Sequence, residues 1–189
     1  MDTSDRLIES TQELLWERGY VGTSPKAIQQ RSGVGQGSMY HHFRGKPDLA
    51  AAALRRSAEQ LRELAERQLG GPGTAFERIA NYLGREREVL RGCRIGRMAQ
   101  DPEVIADPEL RAPVEETFEW LTGRIAGVIE EGRAAGELRP GAPAAELARA
   151  LTAVVQGGYV LARAADSAEP FHQAVQGAIA LLRSQLTED

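Results

Sequence analysis

TSPKAIQQRSGVGQGSMYHHFRGK, residues 23–46, is the stretch that decides the fold. Ser24-Pro25 places a capping residue before a proline at the first helical position, which predicts a short helix that ends at Ser32. Glycines mark a turn at residues 33–35, and a second short helix follows that ends near Phe43. Two short helices joined by a glycine-marked turn are typical of a helix-turn-helix.

The same stretch contains no Asp or Glu, although the formal net charge of the whole chain is −4. It holds two of the three histidines and four basic residues, which are Lys26, Arg31, Arg44 and Lys46. The local field at a docking face matters more than the sum over the chain. We therefore expect a polyanionic partner for this stretch, with double-stranded DNA as the leading candidate.

Composition sets the bounds on the rest of the molecule. The 189 residues are 42% apolar and 26% charged, which is ordinary for a globular protein with a real core. Cys93 is the only cysteine, so an intrachain disulfide is excluded. The opening MDTSDRLIES lacks the apolar region of a signal peptide, and no run of about 18 apolar residues predicts a membrane helix. We expect a cytoplasmic protein.

Helical periodicity dominates the whole chain, and alternating strand patterns are missing, so we predict an all-α fold. Ser4 is the expected N-cap of the first helix, and Gly19 is its expected end. We predict a three-helix DNA-binding domain over residues 1–48 and a larger ligand-binding and dimerisation domain over residues 49–189. Further helices are expected at about 46–68, 75–90, 108–133, 143–164 and 169–186, with a kinked or short-helical segment at 92–104.

The second helix of the motif carries the residues expected to read DNA. Gln36 can read adenine or donate to a phosphate, Gly37 allows close approach of the backbone, and Ser38 is a short, versatile hydrogen-bonding residue. Tyr40 and His41 can donate to phosphate oxygens, although burial in the core is the alternative for Tyr40. Two side chains, Met39 and Phe43, are expected to face inward, and His42 is expected to pack.

The flanks of the motif supply the expected phosphate contacts, which are Thr23, Ser24, Lys26 and Lys46. Capping of the helix explains Thr23 and Ser24 equally well, and the two roles are compatible. The pair His41-His42 lacks the spacing and the cysteines of a zinc site, so no metal is expected. No cofactor is expected either.

The run GYVGTSPKAIQQRSGVGQGSMYHHFRGKPDLAAAAL, residues 19–54, resembles the N-terminal domain of the TetR family of bacterial transcriptional regulators. The resemblance implies an all-α homodimer whose two recognition helices enter successive major grooves of a palindromic operator. It also implies a C-terminal domain that binds a small molecule and changes the spacing of the two DNA-binding heads. The family often has Ser or Ala where Gly35 stands, followed by a basic residue, and a Ser at Gly45. The operator sequence is therefore not predictable.

The second half of the chain should hold the effector. The segment GCRIGRMAQD, residues 92–101, resembles the branch of the family related to the LmrA and YxaF regulators, some of which respond to flavonoids or drugs. We expect a small apolar or aromatic effector. The expected lining consists of Phe76, Tyr82, Cys93, Ile95, Met98, Phe118, Trp120, Leu121 and Ile125. Membership in an ordinary core is the alternative for each of them.

The last two helices carry apolar stripes and small residues, which permit close approach in a four-helix bundle between two subunits. The residues expected at this dimer surface are Leu151, Val155, Gly158, Leu161, Val175, Ala178, Ile179 and Leu182. An intrachain core is the alternative.

Rival functions fit the sequence less well. The glycines at 33, 35 and 37 have GxGxG spacing without a preceding strand, and Ser38 lacks the context of a nucleophile elbow, so we do not expect an enzyme. A DNA-independent ligand-binding protein on the same fold would have no reason to keep the motif free of acids. We expect a repressor that a small molecule releases from DNA, with an activator as the alternative.

Overall fold

The computed structural model describes residues 2–187, which form an all-α fold, as the sequence predicts. One isolated antiparallel bridge, Leu138–Leu186, is the only extended pairing recorded in this range. The helices within it are α1 (Thr3–Arg18), α2 (Pro25–Ser32), α3 (Gln36–His42), α4 (Lys46–Leu69), α5 (Ala75–Gly84), α6 (Arg94–Met98), α7 (Pro102–Ala106), α8 (Pro108–Ala134), α9 (Ala144–Ala165) and α10 (Glu169–Arg183).

The predicted start and end of α2 are confirmed by its caps. The Ser24 side chain accepts a hydrogen bond from the Ala27 amide at 3.2 Å, and Pro25 occupies the first turn. Gly33 adopts the left-handed conformation, with φ +65°, and donates to the Gln29 carbonyl at 2.9 Å. Both ends of α2 are thus set by residues that can be identified in the sequence.

Three helix ends differ from the prediction. The N-cap of α1 is Asp2 rather than Ser4, so the helix starts two residues earlier than expected, at Thr3. α5 ends at Gly84 rather than near residue 90, because the Arg87 guanidinium donates to the Tyr82 and Leu83 carbonyls, each at 2.7 Å. The guanidinium thus bonds to carbonyls that the amides of a further helical turn would otherwise satisfy. α10 ends at Arg183 instead of 186, because the chain beyond it pairs with residues 137–139.

The chain packs into two compact units. The first contains the residues up to 61 together with 93–117, and the second contains 62–92 together with 118–187. α6 and α7 therefore belong to the same packing unit as the helix-turn-helix. The boundary between residues 48 and 49 is a functional division, and it stays a prediction.

In the first unit, α6 is attached to α1 by two arginines. Arg94 makes a salt bridge with Glu13 at 2.6 Å, and its guanidinium lies 4.1 Å from the ring centre of Trp16. Arg97 donates to the main-chain carbonyl of Glu17 at 3.1 Å. Ile95 and Met98 on the same helix are completely buried. Polar and apolar contacts together thus fix α6 on α1.

The carboxylate of Asp101 joins the end of α1 to the start of α7. One oxygen accepts from the Tyr20 amide at 2.7 Å and from the Val21 amide at 3.1 Å. The other oxygen caps α7 by accepting from the Glu103 and Val104 amides at 3.2 and 3.4 Å. Gly19, with φ +76°, permits this approach, because a Cβ there would lie 3.0 Å from the carboxylate.

In the second unit, α9 packs on α10. The rings of Tyr159 and Phe171 lie 4.8 Å apart, and a Cβ at Gly158 would lie 2.9 Å from the Phe171 ring. This packing favours the alternative of an intrachain core for most of the residues expected at the dimer surface. Leu161 is 54% exposed and Ile179 is half-buried, whereas the buried members are Leu151, Val155, Gly158, Val175, Ala178 and Leu182.

Asp101→Ala should lower the free energy of unfolding by about 2 kcal/mol or more. The substitution removes a helix cap and leaves the Tyr20 amide without its acceptor. Urea denaturation measures the change. The control Glu63→Ala removes an exposed carboxylate from α4 and should cost less than about 0.5 kcal/mol. Equal stability of the two variants would contradict the structural role of Asp101.

Candidate nucleic-acid interface

The inner side of α3 is held by apolar packing. Met39 is 1% exposed, and Ile28 and Val34 are also buried. The Gln29 amide nitrogen lies 3.8 Å from the Met39 sulfur. Ser32 adds a polar contact in the turn by accepting from the Val34 amide at 3.2 Å. The short helix therefore packs its inner side against α1, with Gln29 of α2 as a further contact.

The outer side of α3 presents all five of the residues expected to meet DNA. Gln36, Gly37, Ser38, Tyr40 and His41 are exposed. Tyr40 is 49% exposed, which argues against its burial in the core. The four side chains and the Gly37 backbone are thus all open to solvent.

No side chain caps the start of α3. Its N-cap is Gly35, which offers no capping side chain, as expected from the sequence. A Cβ built at Gly35 or Gly37 would meet no atom within 4 Å. Packing within the chain therefore does not require glycine at either position, and both leave the backbone accessible to a large partner.

The expectation that His42 packs is wrong, because His42 is exposed. Its ring stands edge-on to that of His41 at 5.3 Å. Phe43 leaves the helix in an extended conformation and is half-buried, so it takes the inner position at this end of α3. His42 is thereby left on the solvent side.

The two hydroxyl residues before α2 have different environments. Thr23 is 2% exposed, and its hydroxyl donates to the Gly19 carbonyl at 2.7 Å. Its side chain therefore serves the turn between α1 and α2 rather than a surface contact. Ser24 is exposed and caps α2. Of the two, only the Ser24 hydroxyl is open to a phosphate.

The basic residues of the motif fall into two classes. Arg31 pairs with Glu17 at 2.8 Å, and Arg44 pairs with Asp48 at 3.5 Å. Among the described residues, no salt bridge involves Lys26 or Lys46. Of the four basic residues of the motif, the two lysines are thus the ones whose charge no described carboxylate neutralises.

The residues expected to line an effector pocket are divided between the two units. Cys93, Ile95 and Met98 lie in the first unit, where the latter two are completely buried. The remaining six lie in the second unit. Of these, Tyr82, Leu121 and Ile125 are buried, and Phe76, Phe118 and Trp120 are half-buried. That these residues line an effector pocket stays a prediction, and core membership stays the alternative for each of them.

Two further properties bear on the kind of site that the chain can form. Within residues 2–187, no group of three or more His, Cys, Asp or Glu side chains is arranged to hold a metal ion. Of the helices in this range, none combines the length and the apolar run that crossing a bilayer requires.

Asp101 is a structural residue of the first unit that the predictions from the sequence do not include. Asp-Pro before a short helix is a recognisable capping signal, so its role at α7 could have been predicted. Its bonds to Tyr20 and Val21 could not, because 81 and 80 positions along the chain separate the partners.

Two family models match the chain. The model described as "Bacterial regulatory proteins, tetR family" matches residues 7–53. The model described as "Tetracyclin repressor-like, C-terminal domain" matches residues 74–178, which is more than half of the chain. The two matches cover the helix-turn-helix and most of the helices that follow it.

Individual relatives agree with the family models. The regulator LmrA of Bacillus subtilis is 27% identical over 89% of this chain and 90% of its own, which confirms the expected likeness to LmrA. The repressor DhaR of a Mycobacterium species is 26% identical over 88% of this chain and 85% of its own. The crystal structure of a TetR regulator from Chloroflexus aurantiacus has a TM-score of 0.87 and 28% identity, and covers 97% of this chain and 96% of its own. The chain belongs to the TetR family of bacterial transcriptional regulators.

Proposed function

We propose that this chain is a cytoplasmic repressor that binds a palindromic operator as a homodimer and leaves it when a small molecule binds. The outer face of α3 carries the proposal, because it combines exposed hydrogen-bonding side chains with an exposed backbone. A recognition helix in a major groove needs both features. The name of the relative DhaR, a repressor, supports repression over activation.

The first turns of α3 are the proposed reading edge. Gln36 and Ser38 can bond to base edges in the major groove, where each base pair presents its own donors and acceptors. Tyr40 and His41 stand further along the same face and can donate to phosphate oxygens. Gly37 lets the helix backbone come close to the DNA.

The flanking residues are the proposed phosphate contacts. Lys26 is exposed on the first turn of α2, and Lys46 is the first residue of α4. Ser24, the exposed N-cap of α2, precedes Lys26 by two residues. Thr23 contributes by holding the turn, since its hydroxyl is used inside the chain. Such contacts set affinity and register without reading sequence.

The proposed dimer surface is the exposed side of α9 and α10. Two similar faces occur there, with members at i, i+3, i+4 and i+7, and all of their residues are exposed. Val160 and Leu161 on α9 are 53% and 54% exposed, and Leu181 on α10 is 72% exposed. Large apolar side chains so exposed favour burial in an interface. The two faces are Gly157, Val160, Leu161 and Ala164 on α9, and Gly177, Ala180 and Leu181 on α10 with its C-cap Ser184.

The effector is proposed to be a small apolar or aromatic molecule bound by the C-terminal helices. Half-buried aromatic side chains at 76, 118 and 120 are suited to such a ligand. Its binding would favour a separation of the two DNA-binding heads that no longer matches half-sites roughly 34–36 Å apart.

Binding to DNA from upstream of the chain's own gene should fall steeply with salt, because phosphate contacts release counterions. Lys26→Ala should weaken binding to all sequences and reduce the slope of log K against log salt by about 0.9. Gln36→Ala or Ser38→Ala should change the sequence preference instead. Fluorescence anisotropy measures the affinity for each DNA sequence and its dependence on salt. Arg149→Ala, which removes the same charge from α9, is the control, and absent or salt-insensitive binding contradicts the proposal.

Gly37→Ala should stabilise the protein yet weaken its binding to DNA. Alanine favours a helix over glycine by up to about 1 kcal/mol, and the space around position 37 is open. In the complex, the added methyl group would stand between α3 and the base edges. Gly123→Ala makes the same change at an equally open position of α8 and should leave DNA affinity unchanged. Full affinity of Gly37→Ala would exclude close approach of the backbone at this position.

Leu181→Glu should convert the dimer to a monomer, because it places a charge in an apolar interface. Light scattering after size-exclusion chromatography gives the molar mass. Ile105→Glu is the matched control, since Ile105 is an exposed apolar residue of α7 that lies outside the proposed surface. A Leu181→Glu protein that remains dimeric would show that the interface lies elsewhere.

A further inference from the structure

Lys46 and Tyr20 make a cation–π contact at the edge of the proposed DNA-binding surface. The Lys46 ammonium nitrogen lies 3.8 Å from the centre of the Tyr20 ring. Tyr20 is 6% exposed, whereas Lys46 is half-buried. The ring therefore forms part of the protein body, and the ammonium group lies between the ring and solvent.

This contact differs from those of the arginines in the same motif. The guanidinium groups of Arg31 and Arg44 each face a carboxylate, which cancels their charge. An aromatic ring attracts an ammonium group through its quadrupole and carries no net charge. Lys46 is thus held in place with its charge intact. A phosphate can then use that charge without first displacing an acid.

The ring itself is fixed through the main chain. Asp101 accepts from the amide of Tyr20 with one oxygen and caps α7 with the other. Asp101 is 8% exposed, so water competes little for these bonds. Asp101, the N-cap of α7, thereby holds the main chain from which the Tyr20 ring projects, although it lies outside the helix-turn-helix.

The surroundings keep the phenol of Tyr20 neutral. Burial raises the pKa of Tyr20, and the nearby carboxylates of Glu103, Asp107 and Asp101 raise it further. None of them forms a salt bridge with Lys46 in the described residues, so the ring remains its recorded partner.

We propose that Tyr20 is a positioning residue for DNA binding, which holds the uncompensated Lys46 ammonium at the start of α4 for a backbone phosphate. A lysine side chain loses substantial rotamer freedom when it is fixed on a partner. The ring restricts that freedom before DNA arrives, so less is lost on binding. This inference rests on the proposed function of the motif.

Lysine-selective ¹³C labelling tests the contact without any substitution, because the chain has only two lysines. Protons that lie over an aromatic ring resonate upfield, so the Lys46 ε-methylene signal should lie upfield of the Lys26 signal. Lys46→Met assigns the signal by removing it. Tyr20→Phe should preserve the upfield position, and Tyr20→Leu should abolish it. A wild-type Lys46 signal at the position of Lys26 would overturn the inference.

A double-mutant cycle tests the consequence for DNA binding. Tyr20→Leu should weaken binding to the upstream DNA by about two- to fivefold, the usual strength of such a contact. The same substitution in the Lys46→Met background should have no further effect. Equal weakening in both backgrounds would mean that the ring acts only through the fold. Loss of salt-dependent binding by the unmodified chain contradicts the proposed function; binding with an unshifted Lys46 signal contradicts only this inference.

Discussion

The buried carboxylate of Asp101 is the interaction on which the DNA-binding surface depends. It accepts hydrogen bonds from amides just after α1 and at the start of α7. These amides would otherwise lack an acceptor within the chain. The turn that it holds leads through Thr23 to the cap of α2 at Ser24. The position of α2 and the left-handed Gly33 then place α3. A carboxylate distant in sequence thus helps to orient the recognition helix.

The fold of the motif could be predicted because its signals are local. Ser24-Pro25 and Gly33 set the ends of α2 through bonds that span three or four residues. The end of α5 could not be predicted, because it depends on a guanidinium that folds back onto two carbonyls. The exposure of His42 was missed for a related reason: a short helix has room for few inward side chains, and Met39 and Phe43 take that room.

Periodicity alone is insufficient to identify the proposed dimer surface. α9 is apolar on two sides, one with Leu151, Val155 and Gly158, the other with Val160 and Leu161. A periodic stripe has the same appearance in the sequence whether it faces its own chain or a partner. The close approach of Gly158 to Phe171 identifies the first side as intrachain core. The other side is exposed, and it is the side proposed to meet a second subunit.

Methylation interference on the DNA upstream of the gene tests the central claim most directly, because N7 methylation of guanine blocks contacts in the major groove alone. A dimer that places two copies of α3 in successive grooves predicts two clusters of interference on one face of the DNA, with centres about 10 base pairs apart. No interference, or one cluster without a partner, would contradict the assignment of α3 as the recognition helix of a symmetric regulator.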